Sequence, residues 1–170
     1  MNDEITNDEA IAKYLATFIE KSQLMVQALD TQINILIGIA LAVFAFTSSQ
    51  FLATHNVGYL IASVFAALSA IASLVAVHPP KFFRKKVKGY EQKKSTLFAA
   101  SIAEYSSSTE YAVELIKAVK SRTSIMEQCA TDIYNISTYY YLPKRKLFRL
   151  SRNLFLIGVL VSLASIFIAL

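Results

Sequence analysis

The sequence predicts an all-α membrane protein: three transmembrane helices, arranged as a hairpin plus a C-terminal span, with a small cytoplasmic helical bundle. Three observations predict it. Thr31 to Pro80 contains no Lys, Arg, Asp or Glu. Asn153 to Leu170 is likewise uncharged and apolar. The charged residues fall in two blocks of opposite sign, with six acidic and two basic side chains over 1–30 and fifteen basic and six acidic over 81–152. A hydrocarbon core about 30 Å thick takes roughly 20 apolar helical residues to cross, so the first stretch holds two crossings and the last one. A 55% hydrophobic content and a mean hydropathy of +0.44 exceed what a soluble domain of 170 residues needs.

The order is then an N-terminal amphipathic helix over 1–30, a transmembrane hairpin over 31–80, a basic helical segment over 81–152 and a third span over 153–170. In the first of these, Thr6 and Glu9 have the spacing of a capping box. No Gly or Pro follows until Gly38, and Ile11, Leu15, Phe18, Met25 and Leu29 recur at helical intervals. The arm is expected to run into a first span over 33–52. Eleven of those residues are Ile, Leu, Val or Phe, worth about −5 kcal/mol on an insertion scale. Asp30 and Asn34, four apart, share a face at the membrane boundary. They suit a polar contact in a helix cluster or a ligand route, or Asp30 simply lies among headgroups.

Residues 53–57 form the link, and the second span covers 58–78, stopped by Pro79-Pro80. Lys81, Arg84, Lys85, Lys86 and Lys88 follow, whereas the link has no Lys or Arg. The positive-inside rule places the link outside and 81–152 in the cytoplasm, with the N-terminus in and the C-terminus out. Lys144, Arg145, Lys146, Arg149 and Arg152 precede the third span on the same side. Both basic clusters serve topology and headgroup attraction, and either could hold an anionic ligand. Nucleic acid is not an expected partner, because the nearby aromatics form no stacking platform.

All three spans repeat one pattern of small residues at offsets 0, 4, 7 and 11: Gly38, Ala42, Ala45 and Ser49; Ala62, Ala66, Ser69 and Ser73; Gly158, Ser162, Ser165 and Ala169. In lipid, close backbone approach through small residues drives helix association. These seams pack helices within one protomer or between protomers; a homo-oligomer is expected, since three helices alone enclose no pore.

Within 81–152 the reading is a hinge at Gly89, a helix from about Tyr90 to Ala103 or Tyr105, and a break at Ser106–Thr109. A helix capped by Ser107 and Glu110 then runs from Ser108 to about Tyr140, ended by Pro143. Ala112, Ile116, Val119, Met126, Ala130 and Ile133 would form its inward seam. Such a bundle is too small for a deep enzyme pocket. The acidic start predicts no secretory signal peptide. A single Cys129 excludes an internal disulfide, and two His and one Cys are too few and scattered for a metal site. No phosphate loop or nucleophile elbow is present, so catalysis is not expected.

Phe98, the run Glu104-Tyr105-Ser106-Ser107-Ser108-Thr109-Glu110-Tyr111, the run Asp132-Ile133-Tyr134-Asn135-Ile136-Ser137, and Lys144-Arg145-Lys146-Leu147-Phe148-Arg149 before a final span carry a resemblance. In them, and in the order arm, hairpin, helical insert and last span, the chain resembles the transmembrane effectors of Pycsar antiphage systems (PycTM), which share their plan with SLATT-type membrane effectors. The resemblance implies a multi-pass protein of the bacterial inner membrane. A partner pyrimidine cyclase would supply cyclic CMP or cyclic UMP as the activating ligand, with no other cofactor. The effector would then assemble and impair the bilayer, causing abortive infection. Under that reading Asp132 and Tyr134 are candidates for base or ribose contacts and Lys144, Lys146 and Arg149 for the phosphate. Asp132 fits an ion pair as well, and Tyr134 a core aromatic with a wet hydroxyl. The alternative is a non-lethal scaffold, adapter or channel subunit whose cytoplasmic bundle docks a protein.

Overall fold

The computed structural model describes residues 2–80, 96 and 102–168. Among these there is no strand. The helices are α1 (Asn2–Thr54), α2 (Val57–Val77), α3 (Ser108–Ala118), α4 (Arg122–Asn135), a π-helical turn (Ile136–Tyr141) and α5 (Leu142–Ile168). The chain forms two compact units: unit 1 comprises Met1–Val26 and Lys85–Tyr141, unit 2 Gln27–Arg84 and Leu142–Leu170. The expected hinge at Gly89, most of the helix from Tyr90, the basic cluster 81–88, Phe98 and Ala169 lie outside the described residues.

The helix boundaries follow local chemistry. α1 begins at Asn2, so Thr6 lies inside the helix rather than capping it; nothing between them breaks a helix. The α1–α2 link is shorter than expected. His55 adopts a left-handed φ of 52°, and its N–H closes on Phe51 O at 2.8 Å. Asn56 then caps α2, its Oδ1 accepting from Gly58 N at 2.8 Å.

In unit 1, Ser107 caps α3 as expected, accepting from Glu110 N at 3.1 Å, while Glu110 accepts from Ser106 N at 2.9 Å. The helix does not continue to Tyr140. It stops at Ala118 and restarts after Ser121, whose side chain accepts from Ser124 N at 3.1 Å. A second Ser able to cap offers the backbone an alternative to continuing the helix. Pro143 does not end helical structure either. It lacks an N–H and would crowd the carbonyl four residues back, yet the six-residue π turn precedes it and it falls in the first turn of α5, where no N–H is required.

The apolar seam expected on α3 and α4 faces outward: Ile116 is 57% exposed, Val119 58% and Met126 40%. The buried positions are instead Ala118, Cys129, Thr131, Asp132, Asn135 and Tyr139. Thr96 ties the unit together, its N–H donating to Gln128 Oε1 at 3.3 Å and its carbonyl accepting from Tyr111 Oη at 2.9 Å.

Unit 2 is built inside out relative to a soluble domain. Leu41, Phe46, Leu52, Leu60, Leu68, Leu74, Leu160 and Phe167 face outward, while Ala66, Ser69, Ser73, Ser151, Gly158 and Ser162 are buried. That distribution suits lipid, where association depends on close packing and interhelical hydrogen bonds. Three helices are long and apolar enough to cross a membrane.

A hydroxyl knot joins α2 to α5. Ser151 Oγ donates to Ser69 O at 2.7 Å, Ser69 Oγ to Ser151 O at 3.0 Å, and Ser73 Oγ lies 2.6 Å from Ser151 Oγ. Each hydroxyl has one proton, so Ser73 donates to Ser151 and every proton is used. Replacing Ser151 with Ala strips Ser73 and the Ser69 carbonyl of partners. Such bonds in membrane helices average near 0.6 kcal/mol, so a loss of about 1 kcal/mol is expected for the knot, read as a lower unfolding midpoint in micelles. An unchanged midpoint would mean that the knot adds nothing to stability.

Candidate functional site

The candidate face of unit 1 starts from two helices. On α1, Ala16, Ile19, Glu20 and Gln23 recur at offsets 0, 3, 4 and 7 and so share one side. With Asp132 of α4 they line a cavity of about 430 Å³. It is an open groove rather than an enclosed cavity, since Ala16, Glu20 and Gln23 are exposed. Asp132 is 3% exposed and is the one lining residue that is fully buried. One turn along α4, Asn135 has no exposed surface, and neither its Nδ2 nor its Oδ1 has a hydrogen-bond partner. The π turn begins at the next residue, a feature found disproportionately at functional sites.

Asp132 also acts on its neighbour. Burial pushes the Cys129 thiol above its ordinary range, and the Asp132 carboxylate pushes it further in the same direction. Cys129 therefore stays a protonated, inert core thiol at neutral pH. Tyr134 is half-buried and meets Tyr139 edge to face, with ring centroids 6.4 Å apart and planes at 80°.

The three basic candidates belong to α5, in unit 2. Lys144 is 5% exposed, and its Nζ donates to Asp30 Oδ1 at 2.6 Å, so its charge is engaged within the protein. Lys146 and Arg149 are exposed and, three residues apart, share a face of α5. Asp132 and Tyr134 thus belong to one compact unit and Lys144, Lys146 and Arg149 to the other. Asn135 was not singled out from the sequence, although it lies in the run Asp132–Ser137. Its one available signal was the three-residue spacing from Asp132 on an otherwise buried face.

The family model described as the PycTM, Pycsar effector protein, domain matches residues 14–170. The chain belongs to the PycTM family. No curated protein and no solved structure matches it. The match covers α1 from its fourth turn onward together with all later helices, and so takes in both units.

In this PycTM effector the three small-residue patterns have different surroundings. Ala62, Ala66, Ser69 and Ser73 of α2 are buried, as are Gly158 and Ser162 of α5, while Ser165 is half-buried. Ser162 Oγ donates to Gly58 O at 2.8 Å, and Gly158 lies against Phe65. These two seams pack α2 against α5 within one chain. On α1, Gly38, Ala42, Ala45 and Ser49 are all exposed, and nothing lies within 4 Å of where a Gly38 Cβ would sit. The inward stripe of this span is Leu29, Ile33, Leu36, Ala40 and Thr47, with Ser48 bonded to Ser63 of α2 at 2.7 Å.

Proposed function

We propose that this protein is a membrane effector of bacterial antiphage defence, held in the inner membrane and activated by a cyclic pyrimidine nucleotide, cyclic CMP or cyclic UMP, from a partner cyclase. The observation that carries the reading is the PycTM match over residues 14–170 on a chain with three membrane-length apolar helices. In this proposal the chain crosses the membrane three times, with its N-terminus and basic segment in the cytoplasm, where a cytoplasmic cyclase delivers its product. Ligand binding in the cytoplasmic part favours assembly of several copies, and the assembly impairs the bilayer so that the cell dies before phage matures. The exposed face of Gly38, Ala42, Ala45 and Ser49 supports contact between copies, since it offers close backbone approach that none of the described residues of its own chain uses.

The test is expression of the chain with an active pyrimidine cyclase and with a catalytically dead one, following uptake of a membrane-impermeant dye. Dye uptake and growth arrest are expected only with the active cyclase. Intact membranes and normal growth in both cultures would refute the effector reading. A second reading, a non-lethal scaffold, is favoured by one observation: Val113, Ile116 and Val119 present an apolar patch on α3 and just beyond it, at 47%, 57% and 58% exposure. Under that reading the cyclase changes nothing, and replacing Ile116 with Lys abolishes the function.

A further inference from the structure

One side of α5 carries two chemistries in register. At 3.6 residues per turn, Arg145, Arg149 and Arg152 fall within one narrow arc, and Leu156, Leu160, Leu163 and Phe167 continue that arc toward the end of the helix. All seven residues are exposed, Leu160 to 67% and Phe167 to 74%. The buried Ser151, Gly158 and Ser162 occupy the opposite side, which holds the contacts to α2. The stripe is therefore turned away from α2. No Asp or Glu follows Asp132 in the sequence, so α5 itself offers its arginines no counter-charge.

The spacing along the axis fits a phospholipid. A rise of 1.5 Å per residue sets Arg149 and Arg152 about 4.5 Å apart along one side of the helix. Both can aim guanidinium forks at one phosphodiester, whose non-bridging oxygens accept paired N–H donors. From Arg152 to Leu163 the stripe runs about 16 Å, close to half of a hydrocarbon core about 30 Å thick. Acyl chains can thus lie along Leu156, Leu160 and Leu163 while the headgroup rests on the arginines. Lys146 is exposed beside them and adds charge. Arg145 already interacts within the protein, so the phosphate contact is assigned to Arg149 and Arg152. A zwitterionic headgroup brings an ammonium that the clustered cations repel, whereas an anionic one does not.

We propose that this face of α5 is a binding site for an anionic phospholipid, with Arg149 and Arg152 clamping the phosphodiester and the acyl chains packed on Leu156, Leu160 and Leu163. Such a site differs from diffuse attraction of cations to a charged surface, because a pair of guanidinium groups reads geometry as well as charge. Arg149 then serves a lipid phosphate rather than that of a nucleotide. The site rests on α5 as a membrane span and holds with or without activation by a nucleotide.

The experiment uses the full chain in a neutral detergent, titrated with short-chain phosphatidylglycerol or phosphatidylcholine and followed by native mass spectrometry. Phosphatidylglycerol should bind at least about tenfold more tightly, the affinity equivalent of one charge-assisted contact. Arg149→Lys combined with Arg152→Lys keeps both charges and removes the forks. This double variant should lose about tenfold in phosphatidylglycerol affinity. Its unfolding midpoint without lipid should match the wild type, because both side chains are exposed. Wild-type affinity in the double variant overturns the site, since charge alone would then suffice. Equal binding of the two lipids overturns it as well. A lowered midpoint without lipid does so too, because the arginines would then serve the fold. Excess cyclic CMP supplies a competing free phosphate: retention of the lipid is expected, and its displacement would give the stripe to the nucleotide and overturn the lipid site. None of these failures touches the effector reading, whose own readout is cyclase-dependent dye uptake.

Discussion

Gly158→Leu is expected to be the most destabilising single substitution in the membrane unit. An ideal Cβ at Gly158 would collide with Phe65 Cβ and would sit 2.9 Å from its Cγ and 3.6 Å from its Cα. The nearest obstacle is the root of the Phe65 side chain, which no rotamer change moves away. The helices must therefore separate. Separation also stretches the bond from Ser162 to the Gly58 carbonyl, four residues along α5. A soluble protein would recover some stability by burying the new apolar surface, but lipid is as apolar as leucine and returns nothing. Overpacking in a close-packed core costs about 1–3 kcal/mol, and leucine here should reach or exceed the upper end. Gly38→Leu is the matched control. Its Cβ meets nothing within 4 Å, so the fold should change by no more than about 0.5 kcal/mol. Unfolding midpoints in micelles measure both. Equal midpoints for the two variants would show that α2 and α5 do not pack through Gly158. Chemical cross-linking of the same two proteins adds a separate answer. If copies meet through the α1 face, Gly38→Leu loses cross-linked species while its fold stays intact.

The second large effect is expected at Asp30. The Lys144 side chain is 7% exposed and the Asp30 side chain 38%, with Nζ and Oδ1 2.6 Å apart. Asp30→Asn leaves a nearly buried ammonium facing a neutral amide. Removing one member of a fully buried pair costs about 3–5 kcal/mol; the water reaching Asp30 lowers the expectation to about 1–3 kcal/mol. Asp30→Asn combined with Lys144→Met should recover most of the loss, because the stranded charge is gone. A double-mutant cycle read by thermal unfolding measures the coupling, and a coupling near zero would make the pair incidental. The pair joins α1 to the start of α5, so its loss should loosen the third helix in particular. Faster hydrogen exchange near Leu147 would report this.

Much of the architecture was legible because it depends on composition alone. The absence of charge from Thr31 to Pro80 determines a membrane hairpin wherever its helices end up, since each apolar side chain gains from lipid independently of its neighbours. Caps are equally local: Ser107 accepts from the backbone three residues on and needs no help from the rest of the chain. The breaks were less legible. Ser121 and Pro143 each carry a signal compatible with two outcomes, and packing selected a new cap at the first and a π turn before the second. The α1 arm shows the same ambiguity at finer grain. Phe18 and Met25 have helical spacing yet are 43% and 50% exposed, because the buried stripe of α1 takes Ser22 together with Leu29, the last member of the expected series.

By itself, then, the sequence determined an all-helical chain with three membrane-length segments, a basic stretch before the last of them, and small residues on one face of each. Those properties are sums over single residues. Only the tertiary structure decided that the α2 and α5 faces close on each other while the α1 face stays open, that Lys144 finds Asp30 across 114 positions of sequence, and that Asn135 is buried with nothing to bond. Each of these is a relation between groups far apart in the chain. Its energy depends on distances that no local pattern encodes.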